Sequence, residues 1–158
     1  MTFVIYFSLT WTLLGLLVFY KSNLPFHMGS FLFLVVCFIN THTYHLLPEN
    51  FKGFSVNGDL SPYLSYIMWR SILVPAFLVF CYKLFYFQKN LFGNILFTAI
   101  FYSLLMTLLE QFGDYMGIFT FQWWNFIFAF CYYFALFFLS YLLLSGFLRM
   151  GESKEYVG

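Results

Sequence analysis

Five apolar stretches, each about as long as a bilayer crossing, divide this chain and leave little between them. A helix needs about 20 apolar residues to cross the hydrocarbon core. The stretches run from about Thr2 to Tyr20, Gly29 to Leu47, Tyr63 to Phe87, Leu91 to Phe112 and Trp124 to Leu148. Lipid obliges each crossing to satisfy its own backbone polar groups, which selects helices or a closed barrel. These runs lack the alternation of barrel strands and are too long for them. The expected fold is therefore all-α, a polytopic membrane helical bundle of about five transmembrane helices. Residues 1–148 form the transmembrane helical domain and 149–158 a short cytoplasmic tail, polar and frayed. Composition points the same way: 63% of residues are hydrophobic and 8% charged, against about 25% charged in soluble domains. A net charge of +1 offers nothing to a nucleic acid, so the expected surroundings are the lipid bilayer and other membrane protein.

The connections are short. KSNLPFH joins the first two crossings and QKN the third and fourth. PENFKGFSVNGDLSP, between the second and third, carries the Gly, Asn, Asp and Pro of irregular structure. GDYMGIFTFQWW, between the fourth and fifth, is rich in aromatics, and Trp123 and Trp124 suit an interfacial belt. With five crossings, Lys21, Lys83, Lys89, Arg149 and Lys154 fall on one side and Lys52 alone on the other. Basic residues collect on the cytoplasmic side. The expected location is the cell membrane, with the N-terminus outside and the C-terminus in the cytoplasm. The first stretch has no basic residue before it and no small-residue cleavage site, so it reads as an uncleaved crossing.

Arg70 interrupts the third stretch, YLSYIMWRSILVPAFLVF. A charge there costs at least about 2.5 kcal/mol on insertion scales and calls for a partner or a wet recess. By depth, Arg70 lies about 10 Å below the outer end of its crossing. Asn40, Thr41, His42, Thr43 and His45 occupy the outer half of the second crossing, and Glu110, Gln111 and Asp114 the outer end of the fourth. Gln122 and Asn125 open the fifth. Several helices thus deliver polar groups to one leaflet, and the candidate cluster is Arg70, Glu110, His42, His45, Asn40 and Asp114. Its plainest reading is an Arg70–Glu110 ion pair with the His and Asn side chains satisfying remaining hydrogen bonds. A small-molecule, ion or proton site opening outward is the functional alternative, and snorkelling of Arg70 to the headgroups a third.

His42 and His45, three apart, share a helix face. Two imidazoles are too few for a closed metal site, and Pro48 is expected to end the helix before Glu49 can join them. No metal or cofactor is assigned. Glu110 and Asp114 sit one turn apart, the spacing of paired acid/base carboxylates but also of a solvated helix end. Pro75 is expected to kink the third crossing and free the carbonyl of Ser71. Gly113 and Gly117 form a GxxxG that falls in a loop. Cys37, Cys81 and Cys131 are isolated, mid-span and read as small buried hydrophobes. The chain contains no G-x-S-x-G, phosphate loop or dinucleotide fingerprint.

In the last third, LLEQFGDYMGIFTFQWWNFIFAFCYYF, an acid closes a helix, a G-x-[YF]-x-[YF] segment follows, then a Trp-Asn pair and a final aromatic crossing. This pattern resembles small uncharacterised multi-pass membrane proteins of Gram-positive spore-forming bacteria. The resemblance implies a fold and a habitat, with Glu110 and Trp124 at the recurrent positions, but no reaction.

Small size, short loops and the lack of a catalytic motif favour a subunit, assembly factor or sensor bound to a larger membrane partner, or self-associated. The alternatives are an oligomeric transporter or channel, which needs polar lining in both leaflets, and a membrane enzyme acting on a lipid or isoprenoid through Glu110 and Arg70.

Overall fold

Each apolar run becomes a helix, and the punctuation between runs decides where it starts and stops. The computed structural model describes residues 2–20, 24–85 and 91–155. The QKN connection, Lys21 and Lys89 lie outside the described residues, as do the side chains of Asn94, Arg149 and Lys154. The helices are α1 (Thr2–Phe19), α2 (Phe26–Glu49), α3 (Leu60–Met68), α4 (Val74–Phe85), α5 (Leu91–Tyr115) and α6 (Phe126–Glu155). A π-helical turn, Trp69–Leu73, joins α3 to α4 without a break. Five helices among the described residues, counting Leu60–Leu84 as one, are long and apolar enough to cross a membrane. The chain is all-α apart from two three-residue strands, β1 (Phe54–Val56) and β2 (Phe119–Phe121).

Three boundaries differ from the sequence reading. Pro48 does not end α2, which runs on to Glu49. The polar tail is not separate from the fifth helix, because α6 continues to Glu155. α5 extends past Phe112 to Tyr115, so Gly113 is helical and only Gly117, at φ +70°, lies in the turn beyond. At the start of α6 the Asn125 Oδ1 accepts from the amides of Ile127 and Phe128, at 3.1 and 3.2 Å. That is a side-chain N-cap, worth about 1 kcal/mol, and it commits the Asn125 side chain to the backbone of α6.

The third span shows how a proline is absorbed. Within the π turn the Val74 amide reaches the Trp69 carbonyl, five residues back. The next bond in that pattern would run from residue 75 to Arg70, and Pro75 has no N–H to give. The orphaned carbonyl is therefore that of Arg70 and not of Ser71. Asn40 Nδ2, on α2, donates to it at 2.6 Å. Tyr132, on α6, in turn donates to Asn40 Oδ1 at 2.8 Å. Three spans are tied together where one of them lost a backbone bond.

The two strands pair antiparallel, Phe54 with Phe121, Ser55 with Thr120 and Val56 with Phe119. They bring the second and fourth connections together at one end of the bundle, here called the sheet end. Further bonds stitch these loops. The Gly53 carbonyl accepts from the amides of Gln122 and Trp124, Trp123 Nε1 donates to the Phe51 carbonyl, and Asn57 Nδ2 donates to the Gly117 carbonyl. Inside, Trp69, Tyr6, Tyr44, Tyr102, Tyr133 and Phe137 are fully buried. Outside, large apolar side chains such as Trp11, Leu34, Phe97, Ile127 and Leu142 stand exposed around the bundle, the reverse of a water-facing surface.

Candidate functional site

Glu110 lies on the last full turn before α5 ends, on the side facing the bundle interior, and is 1% exposed. Its neighbours come from every part of the sheet end. Trp124, at the entry to α6, donates from Nε1 to Glu110 Oε1 at 2.9 Å. Trp124 is thus buried, against the expectation of an interfacial position, whereas Trp123 is exposed. The hydroxyls of Tyr44 and Tyr133 face the same carboxyl and hydrogen-bond to each other. Tyr66 donates to the Tyr44 carbonyl. The second carboxyl oxygen, Oε2, has no hydrogen-bond partner, and neither has the indole N–H of Trp69.

The close fit above Glu110 is set by Gly113. A Cβ at that position would stand 2.4 Å from the Phe119 ring and 2.9 Å from the Tyr6 hydroxyl. Only glycine lets β2 descend onto α5 here. Tyr6 donates across the same contact to the Leu109 carbonyl at 3.2 Å and packs edge-on against Trp69. Phe54, Tyr66 and Phe119 close an aromatic lid beneath the sheet, with centroids about 6 Å apart.

The predicted cluster is only partly assembled. Asn40 is buried and spent on the Arg70 carbonyl and Tyr132. Arg70 forms no ion pair with Glu110. Its guanidinium lies 5.0 Å from the Tyr66 ring centroid, a cation–π contact one helical turn back along its own span. Arg70 also lies further along its helix than the sequence suggests, because the helix begins at Leu60; ten residues at 1.5 Å place it about 15 Å from that start. His42 and His45 do share a face, but it is the outer face of α2. His42 stacks edge-on against Phe38, with centroids 4.3 Å apart. His45 Nδ1 meets Glu49 at 3.1 Å, across the turn that Pro48 was expected to break. Asp114, one helical turn further on, is half-buried, whereas Glu110 is fully buried. Among the described residues no group of three or more His, Cys, Asp or Glu side chains could hold a metal ion.

Sequence reading missed Tyr44, Tyr66, Tyr132, Tyr133, Tyr6 and Trp69, the residues that surround Glu110 and Asn40. Buried tyrosines require a partner for their hydroxyl. A tyrosine where a phenylalanine would serve the lipid is the available signal, and Tyr44 and the Tyr132–Tyr133 pair carry it. Chemically, the arrangement is a carboxyl with one fixed donor, one free oxygen and a ring of phenols, closed to the exterior by two loops. No family model, no curated protein and no solved structure matches this chain.

Proposed function

We propose that this chain is a small integral membrane protein that acts as a subunit, assembly factor or sensor bound to a larger membrane partner, its N-terminus outside and its C-terminus cytoplasmic. The observation that carries the reading is the outer face of α2. Leu34, Phe38, His42, His45 and Glu49 are all exposed there, spaced four, four, three and four, the rhythm of a helix-packing seam. The opposite face, Val36, Asn40, Tyr44 and Leu47, is the buried one.

His42 lies seven residues before the end of α2, about 10 Å along the helix. Ionisable groups at such depth normally face a bundle interior or a cavity. This one faces outward, with the Phe38 ring against it, and a neighbouring helix with a hydrogen-bond acceptor would satisfy it. The buried state of Glu110 supports the same view, because neither transport nor catalysis has a visible approach to a carboxyl sealed beneath paired loops.

The test is native gel migration of the tagged chain extracted in mild detergent, beside the double variant His42→Leu, His45→Leu. The expected wild-type band is larger than a single chain. The variant is expected to reach normal abundance but migrate alone. A wild-type protein that already migrates as a single chain, or a variant that keeps the complex, defeats the reading. The size of the complex separates a larger partner from self-association.

A further inference from the structure

We propose that a groove at the end of the bundle opposite the sheet binds one anionic phospholipid of the adjoining leaflet. The inference uses neither the α2 histidines nor the Glu110 cage, and shares with the partner reading only the edge of the α2 face at Leu34.

The groove holds about 550 Å³ and runs between the end of α1, the start of α2 and the end of α4. That volume is in the range of ligand sites, about 300–1,000 Å³. Its walls are apolar: Leu17 and Val18 from α1, Phe26, Phe33 and Leu34 from α2, and Val79 from α4. Gly29 forms part of the lining, and its lack of a side chain adds to the width of the trough. A trough of this kind, open along the flank of a bundle, has the shape and polarity to take an acyl chain.

One charge sits in that lining. Lys83 is half-buried and donates from Nζ to the Leu17 carbonyl at 2.7 Å. The carbonyls of the last turn of α1 lack helical partners, so the lysine is fixed at a helix C-terminus where a cation is favoured. An ammonium has three donors, and one is committed. The other two are available at the groove, which Ser30 also lines. Among the described residues no carboxylate lines the groove to neutralise the charge. A phosphate above an acyl chain supplies the missing negative charge, and basic pockets between transmembrane helices are known seats for such headgroups. A zwitterionic headgroup matches the trough equally well but the lysine less.

The experiment is native mass spectrometry of the full chain released from bilayers of phosphatidylglycerol and phosphatidylcholine with identical acyl chains, mixed in equal parts. The wild type is expected to retain one phosphatidylglycerol, preferred about fivefold over phosphatidylcholine, as one basic side chain at a membrane surface provides. Lys83→Gln keeps a donor for the Leu17 carbonyl and removes the charge, so it is expected to lose the preference. Ser30→Trp fills the trough without touching the charge and is expected to lose the bound lipid of either kind. Equal retention of the two lipids by the wild type overturns the proposal without reference to any variant. So does a Lys83→Gln protein that folds and keeps the preference.

Discussion

Glu110 is bound on one side only, and that asymmetry decides what substitution should do. Oε1 accepts from Trp124 while Oε2 faces the phenols without a bond. Glu110→Gln keeps the acceptor and turns the free oxygen into a donor that the Tyr44 or Tyr133 hydroxyl can accept. It is expected to hold stability within about 1 kcal/mol of wild type, whereas Glu110→Ala strands the Trp124 N–H and should cost about 1–3 kcal/mol. Thermal unfolding in detergent, followed by tryptophan fluorescence, measures both. A glutamine variant as unstable as the alanine one would mean that the carboxylate charge itself holds the cage together. At this scale the sequence was half legible. Glu110 and Trp124 stand out in an apolar chain, but their direct bond spans 14 residues and a turn whose path no local pattern reveals. For Arg70 the nearest solution won: a ring one turn away on its own helix cost no long-range placement, so the expected acid was not recruited. The histidine spacing predicts a shared face but not which one; the burial of Tyr44 between them turns both outward.

Within the third span, Pro75 and Asn40 behave as one device. The proline removes an amide, the π turn shifts the unpaired carbonyl from Ser71 to Arg70, and Asn40 supplies the replacement donor at 2.6 Å. Asn40→Ala therefore strips the Arg70 carbonyl of its donor and the Tyr132 hydroxyl of its Asn40 acceptor, a loss of about 1–3 kcal/mol. In a Pro75→Ala background the restored amide can bond within the helix, and the same Asn40→Ala change should cost less. The double-mutant cycle is expected to show a coupling of at least about 0.5 kcal/mol. Additive effects would mean that Asn40 serves Tyr132 alone. The kink was readable from Pro75, since a missing donor is a property of the residue. The identity of the freed carbonyl was not, because it depends on a π turn that sequence periodicity does not encode. Gly113 belongs to the same scale. Gly113→Ala should destabilise by about 1–3 kcal/mol through overpacking against Phe119, and a neutral result in the same unfolding assay would contradict the descent of β2 onto α5.

For the whole molecule, the five helices were legible because long apolar runs without strand alternation leave few alternatives to helices, while the sheet that joins their loops was not. Three residues at 54–56 pair with three at 119–121, and strands so short carry almost no signal of their own; the register comes from Phe54 and Phe119 packing into the aromatic lid. The paired loops make the sheet end one closed cap, and this has a direct consequence. Ser55 and Thr120 are exposed, directly opposed and in register. Such a pair has a Cα separation of about 5.5 Å, inside the range a disulfide can bridge. The variant Ser55→Cys, Thr120→Cys is expected to oxidise within one chain, seen as a shift between reducing and non-reducing gels, and to assemble as the wild type does. Failure to oxidise would break the register, and oxidation that abolishes assembly would make the cap a moving part. The single variant Ser55→Cys then reads the orientation. A membrane-impermeant maleimide should label it on intact cells if the N-terminus is outside, because α1 and α2 return the chain to that side. Labelling only after the cells are opened would invert the bundle, and with it the leaflet that adjoins Lys83.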